Sequence, residues 1–344
     1  METSLVPNSD KDPEQIVNRL GTQRASELLT SAPGKNVLVI GDLMLDRYII
    51  GSVDRISPEA PVPVVRVERE GLAVGGAGNV AANAVALGAS ARVVGCVGDD
   101  SEGALLRTHL QDLGVDTSGV LTVPHRPTTV KTRIMARHQH VTRVDREDVS
   151  DVGAETAEEL LSLIRPALRW ADSLVLEDYN KGVLVPRIIR TALEEARALE
   201  IPSVVDPKRM RFFEYVGTTV FKPNSRELED ALGEPLKTDD PRWLESVRLR
   251  LQSDNLLLTL GERGMALQAK EGGYLRIPAV AREVYDVSGA GDTVTAVMAV
   301  GLASGATPFE AAILANLAAA VEVGKAGVAT VSPQEILREY GKHT

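Results

Sequence analysis

Short uninterrupted apolar runs alternate along the chain with longer stretches whose apolar residues recur every three or four positions. The runs are 36–41 (Asn-Val-Leu-Val-Ile-Gly), 91–97, 173–176, 203–205, 219–221 and 256–260. Runs this short, ended by glycine or polar residues, predict strands buried on both faces. Helical spacing fills most of the intervals, for example at 78–87, 154–170 and 186–199. Such alternation predicts an α/β fold, a mostly parallel sheet with helices on both faces. Ligands of these sheets bind beyond the carboxyl ends of the strands, so the residues that follow each run are the candidates for chemistry.

Two segments, 62–70 and 128–145, are strand-like with no helical pattern inside them. In the second, Val130, Thr132, Ile134 and Ala136 alternate with Lys131, Arg133 and Arg137, the period of a strand with one basic face. They predict a small β sheet set apart from the main one, a lid or an oligomer contact. Residues 1–35 read as a polar extension with one short helix, where Pro13 opens a weak apolar pattern of Ile16, Leu20 and Leu28.

At 344 residues, 44% apolar and 25% charged, the chain fits one large domain with a small appendage and excludes a disordered chain. No apolar run reaches the roughly 18 residues of a membrane helix. Lys and Arg number 38 against 48 Asp and Glu, a net charge of −10, which argues against general nucleic-acid binding but leaves room for a local basic pocket. The single cysteine, Cys96, cannot form an intrachain disulfide, and no Cys/His cluster suggests structural zinc. His138 and His140 share one strand face, where a phosphate contact or plain surface suits them better than zinc. No basic stretch followed by an apolar one opens the sequence, so a cytoplasmic protein is expected.

Two glycine motifs carry candidate chemistry. Gly75-Gly-Ala-Gly-Asn79 matches a dinucleotide fingerprint only literally, because no core strand directly precedes it. It reads better as bare backbone that lets a polar ligand approach, with Asn79 able to donate or accept a hydrogen bond. The second motif, Asp286-Val-Ser-Gly-Ala-Gly-Asp292, passes directly into an apolar helix. The unpaired first amides of that helix, at Gly289, Ala290 and Gly291, suit phosphate or a developing anion. Asp292 is then either a capping carboxylate or a base at the same helix end. Amides for a phosphoryl group and a carboxylate for a hydroxyl proton are two of the parts a kinase needs.

Together the two motifs resemble those of the ribokinase-like (PfkB) carbohydrate kinases, over about residues 36–335. Within that family Gly41-Asp-Leu-Met-Leu-Asp46, the stretch 55–63 and Glu177-Asp-Tyr-Asn-Lys-Gly182 resemble the heptose-7-phosphate kinases of lipopolysaccharide core synthesis. The resemblance implies a ribokinase-like domain over 36–335, lid segments at about 47–72 and 126–146, an extension 1–35 and a tail 336–344. It implies ATP-dependent phosphorylation of D-glycero-β-D-manno-heptose 7-phosphate at the anomeric hydroxyl. Another sugar kinase of the family is the alternative, and a non-catalytic sugar-binding protein a remote one.

By resemblance, Asp292 is the catalytic base and Gly289, Ala290 and Gly291 form the anion hole. Asn224 and Glu227 position magnesium and the ATP phosphates, although Pro223-Asn224 would also start a helix well. Thr259, Gly261 and Gly264 belong to the nucleotide side, and Asp42, Gly75, Gly76 and Asn79 to the sugar side. Asp206 and Lys208, each after an apolar run, join the expected substrate contacts, and Lys181 lies at a similar strand end. Arg137 is the expected lid contact to the sugar's phosphate. Magnesium is expected without direct protein ligands, with a monovalent cation as a further candidate. The implied partners are ATP, a sugar phosphate, a second copy bound through the lid and a separate adenylyltransferase, with no nucleic acid or membrane.

Overall fold

The structure is a computed structural model that describes residues 13–136, 139–271, 273–281, 284–325 and 327–344. In chain order the strands are β1 (Asn36–Gly41), β2 (Leu43–Ile56), β3 (Pro63–Gly76), β4 (Ser90–Gly98), β5 (Asp116–Val123), β6 (Thr129–Ala136), β7 (Gln139–Arg146), β8 (Ser173–Glu177), β9 (Ser203–Asp206), β10 (Val220–Phe221), β11 (Asn255–Thr259), β12 (Met265–Ala269) and β13 (Tyr274–Ile277). The helices are α1 (Pro13–Asn18), α2 (Thr22–Thr30), α3 (Ala77–Ala86), α4 (Ser101–Asp112), α5 (Ala154–Trp170), α6 (Pro186–Ala198), α7 (Ser225–Leu232), α8 (Pro241–Leu251), α9 (Ala290–Ala303), α10 (Pro308–Val323) and α11 (Pro333–Tyr340).

Nine strands form the main sheet in the order β13-β12-β11-β10-β9-β8-β1-β4-β5. Every neighbouring pair from β11 to β5 is parallel, and β12 and β13 close one edge antiparallel. The central strands are buried almost throughout and apolar along their middles because helices cover both faces, with polar residues at their ends. On one face α5 presents Ala157, Leu160, Leu161, Ile164 and Leu168, the stripe of an amphipathic helix, beside α6 and α8. On the other face α9 is buried along most of its length, which explains its all-round apolar sequence.

The lid is a second sheet, ordered β3-β2-β6-β7. It is longer than the sequence pattern suggests, since β2 and β3 run on to Leu43 and Gly76 at the rim of the main sheet. Their inner ends are buried, Asp46 included, while the outer part of β3 carries Arg66, Glu68, Arg69 and Glu70 and is exposed, so no single period marks them. The extension also differs from expectation. It holds two helices, and Ile16, Val17, Leu20, Ala25, Leu28 and Leu29 are buried with α9–α11. Arg24 fixes α2 by an ion pair with Glu310 at 2.8 Å. Residues 333–340 form α11 with Ile336 and Tyr340 buried, so much of the expected tail is packed helix.

Candidate active site

The carboxyl ends of β1, β8, β9 and β10 face the start of α9, and the candidate residues meet there. Gly289 is the N-cap of α9 at φ 96°, a left-handed conformation that favours glycine. A Cβ there would also lie 3.2 Å from both Asn79 Nδ2 and Glu322 Oε1. Gly291 is different, since its φ is not positive and a Cβ would come no nearer than 3.8 Å, to Lys222 Nζ. Its missing side chain leaves space beside a cation and beside the helix amides.

Asp292 does not cap α9. Its Oδ2 accepts from Asn79 Nδ2 at 2.7 Å and its Oδ1 from the Tyr179 hydroxyl at 2.8 Å. Burial pushes its carboxyl up to about 6. The Asn79 hydrogen bond opposes that rise, the Asp206 charge adds to it, and Tyr179 and Lys222 hold it back. Glu177, Asp206 and Asp292 bring carboxylate oxygens within 4.8 Å of one another. Lys222 pairs with Asp206 at 2.8 Å and stays charged, because Asp206 and Glu177 outweigh the cost of its burial. Glu177 is fully buried, and neither of its oxygens has a hydrogen-bond partner. Burial, then Asp206 and Asp292, hold its carboxyl well above the usual range. Oxygen donors in this arrangement suit a hard divalent cation, which was expected to have no direct protein ligand.

On the side of the small sheet, Gly75 and Gly76 end β3 where side chains do not fit. A Cβ on Gly75 would meet Asp46 Oδ2 at 2.7 Å, and one on Gly76, at φ 58°, the Asp42 carbonyl at 2.4 Å. Asp42 corrects an expectation. It is 1% exposed, and its carboxylate accepts the amide protons of Tyr179 (2.8 Å), Lys181 (2.9 Å) and Val183 (3.2 Å). It therefore builds the wall of the pocket, and Asp46, paired with Arg133, is the carboxylate beside Gly75. Asp206 and Lys208 also shift role: Asp206 lies beside Gly291, and Lys208 pairs with Glu227 at 2.5 Å.

On the far side, Asn224 and Glu227 make a capping box at the start of α7, each side chain accepting from the other's backbone amide at 2.9 Å. The helix-start reading is thus realised, at a strand end next to Lys208. Thr259 N donates to the Pro223 carbonyl at 3.0 Å, which joins the two loops. Around Gly261 the space is open, whereas at Gly264 a Cβ would lie 2.1 Å from the Ile277 carbonyl, a backbone reason for glycine that needs no ligand. In the lid Arg133 pairs with Asp46 and Arg143 with Asp145, and Lys181 pairs with Glu147 below it. Among the described residues of the lid's basic face, from Lys131 to Arg143, Lys131 and the exposed His140 have no ion-pair partner, so Lys131 is its one unpaired lysine or arginine; Arg137 and His138 lie outside the described residues. Sequence reasoning missed Asp46, Glu177, Tyr179 and Lys222 as site residues. The signal was there, since Glu177, Tyr179 and Lys222 end or follow short apolar runs.

The model of the family described as pfkB family carbohydrate kinase matches residues 35–335. The chain belongs to that family. The pfkB relatives it resembles include two proteins named bifunctional protein HldE, from Geotalea uraniireducens (46% identical over 91% of this chain) and Geobacter metallireducens (43% over 93%). The chain spans 64% and 66% of their lengths. The pfkB fold is shared with a ribokinase of Arabidopsis thaliana complexed with ribose and ATP, at TM-score 0.71 and 21% identity over 89% of this chain and 98% of that one. Phosphofructokinase-2 of Escherichia coli in complex with substrates and products gives 0.74 and 18% over 90% and 99%. The chain is a carbohydrate kinase, and among the described residues no helix is long and apolar enough to cross a membrane.

Proposed function

We propose that this kinase transfers the γ-phosphoryl group of ATP to the anomeric hydroxyl of D-glycero-β-D-manno-heptose 7-phosphate. The product is the 1,7-bisphosphate, made in the cytoplasm on the way to ADP-heptose and the lipopolysaccharide core. The observation that carries the phosphoryl-transfer part is Asp292, a buried carboxylate at the same helix end as three small-residue amides. Asp292 takes the hydroxyl proton, the amides of Gly289, Ala290 and Gly291 hold charge on the transferring group, and Lys222 adds a cation beside them. Asn224, Glu227, Thr259 and Gly261 lie toward the nucleotide. Glu177 and Asp206 would hold magnesium, since the two partnerless oxygens of Glu177 need either a cation or a proton. A divalent cation bound there supplies charge neutralisation along the phosphate chain.

The heptose part rests on likeness to the HldE proteins and on the motifs at 41–46 and 177–182. Gly75, Gly76, Asn79 and Asp46 would meet the sugar, and Lys131, with Arg137 near it in sequence, its phosphate. A separate adenylyltransferase would act later in the same reaction sequence, once the 7-phosphate has been hydrolysed. Exposed Ile56, Val62, Val67 and Val144 on the lid support pairing of two copies through this sheet. Another sugar or phosphosugar kinase of the family is the second reading, because Lys131 and its lid are compatible with several phosphates. ADP release measured across a panel of sugar phosphates and plain sugars tests both readings. Turnover highest on heptose 7-phosphate is expected, and equal use of plain and phosphorylated sugar removes the heptose phosphate.

A further inference from the structure

The loop after β8 sends one side chain to the spot where an acceptor hydroxyl would have to sit. The backbone of that loop is fastened by the three bonds to Asp42. Asp178 adds two more, from the Asn180 amide at 2.7 Å and the Tyr215 hydroxyl at 2.6 Å. With the main chain held, the Tyr179 ring can move only by rotation about its side-chain bonds. The ring is partly exposed, yet its hydroxyl reaches Asp292 Oδ1 at 2.8 Å. Burial, with Asp292 and Glu177 nearby, holds the phenol well above its ordinary range, so it stays protonated and donates to the carboxylate as an alcohol would. Asn79 already occupies the other oxygen. Lys208 Nζ and Lys131 Nζ lie 4.7 Å and 5.9 Å from the ring centroid, within range of its face. A phosphorylated ligand would compete with the ring for those cations.

We propose that Tyr179 is a built-in substitute for the acceptor hydroxyl: in the absence of sugar it covers Asp292 and keeps water off the base, and a phosphorylated sugar displaces it. The inference rests on the kinase reading. Without that cover, a water on Asp292 would attack the γ-phosphorus. The bond from phosphorus to the β–γ bridging oxygen would break, Asp292 would take the water's proton, and ADP and inorganic phosphate would leave with no sugar phosphorylated.

Tyr179→Phe keeps the ring and removes the hydroxyl. The full chain is assayed with ATP and magnesium for ADP release without sugar, and by calorimetry for binding of heptose 7-phosphate. Sugar-free ADP release should rise about fivefold and the sugar should bind about threefold more tightly, the worth of one lost hydrogen bond. Asp292→Asn placed on top of Tyr179→Phe should return the release to background. Unchanged sugar-free release, or release that survives Asp292→Asn, overturns the proposal, and a lower kcat alone would leave the hydroxyl as a positioning group for Asp292. The kinase reading fails separately, if the native protein releases no more ADP with sugar phosphate than without it; the sugar-free comparison and the calorimetry still read Tyr179 in that event.

Discussion

At Asp292 two demands meet: the carboxylate must be ionised to accept a proton, and it is buried. Burial raises its proton affinity to about 6, so the base is mostly ready at neutral pH and lost below it. Phosphoryl transfer should therefore climb with pH through about 6 and level off above, as kcat/KM profiles would record. Asp292→Asn should fold normally and lose roughly 10²–10⁴ in kcat, the usual worth of a general base; near-native turnover would exclude Asp292 from the chemistry. Lys131 makes a second residue-scale test. Burial, then the neighbouring Lys181, lowers its proton affinity, which favours an anionic ligand there. Lys131→Ala should raise KM for the sugar phosphate about tenfold, near 1.4 kcal/mol, with KM for ATP unchanged. Asp292 was legible because glycines and a carboxylate adjoin in sequence. For Tyr179 and Glu177 only the position at a strand end was legible, because the fold alone brings the end of β8 against the start of α9.

The elements divide the two glycines at the start of α9, both proposed for the anion hole, by cause. Gly289 needs its left-handed backbone and has Asn79 and Glu322 against it, so Gly289→Ala should destabilise the protein by about 1–3 kcal/mol as well as slow it. Gly291 has neither constraint. Gly291→Ala should melt like the native protein yet lose turnover, since the new methyl points toward Lys222 and Asp206. Thermal melts beside kcat separate the two, and equal melting losses would contradict the assignment. The strand-and-helix alternation was readable because the core strands are apolar on both faces. The helices of the extension were harder to see, since six and nine residues give few turns and their packing on α9–α11 is long-range.

Over the whole molecule, Glu322 sets a slope. It is buried on α10 without a hydrogen-bond partner, and burial, then Asp286 and Asp292, push its carboxyl up to about 8 from an ordinary value of 4.5. Between those values the folded chain holds a proton that the unfolded chain has released, so stability falls as pH rises across the window. Glu322→Gln cannot titrate. Its melting temperature should decline less than the native protein's between about pH 5 and 8, and parallel curves would show that Glu322 is not the source.

The junction of the two sheets has a mechanical consequence. Strand β2 leaves β1 across Asp42 alone, β3 enters α3 at Gly76, and Ala77 N binds the Asp42 carbonyl at 3.0 Å. The 14 residues of β2 make a lever arm of roughly 45 Å whose fulcrum lies beside Gly75 and Gly76, the proposed sugar contacts. A tilt of about 5° at that fulcrum would sweep the tip through about 4 Å, an estimate from the same strand rise. Leverage also runs backward. A load on the outer rim, such as another molecule leaning on it, would reach the fulcrum as a small displacement of multiplied force, so the sugar contact proposed there would be tunable from the far end of the arm.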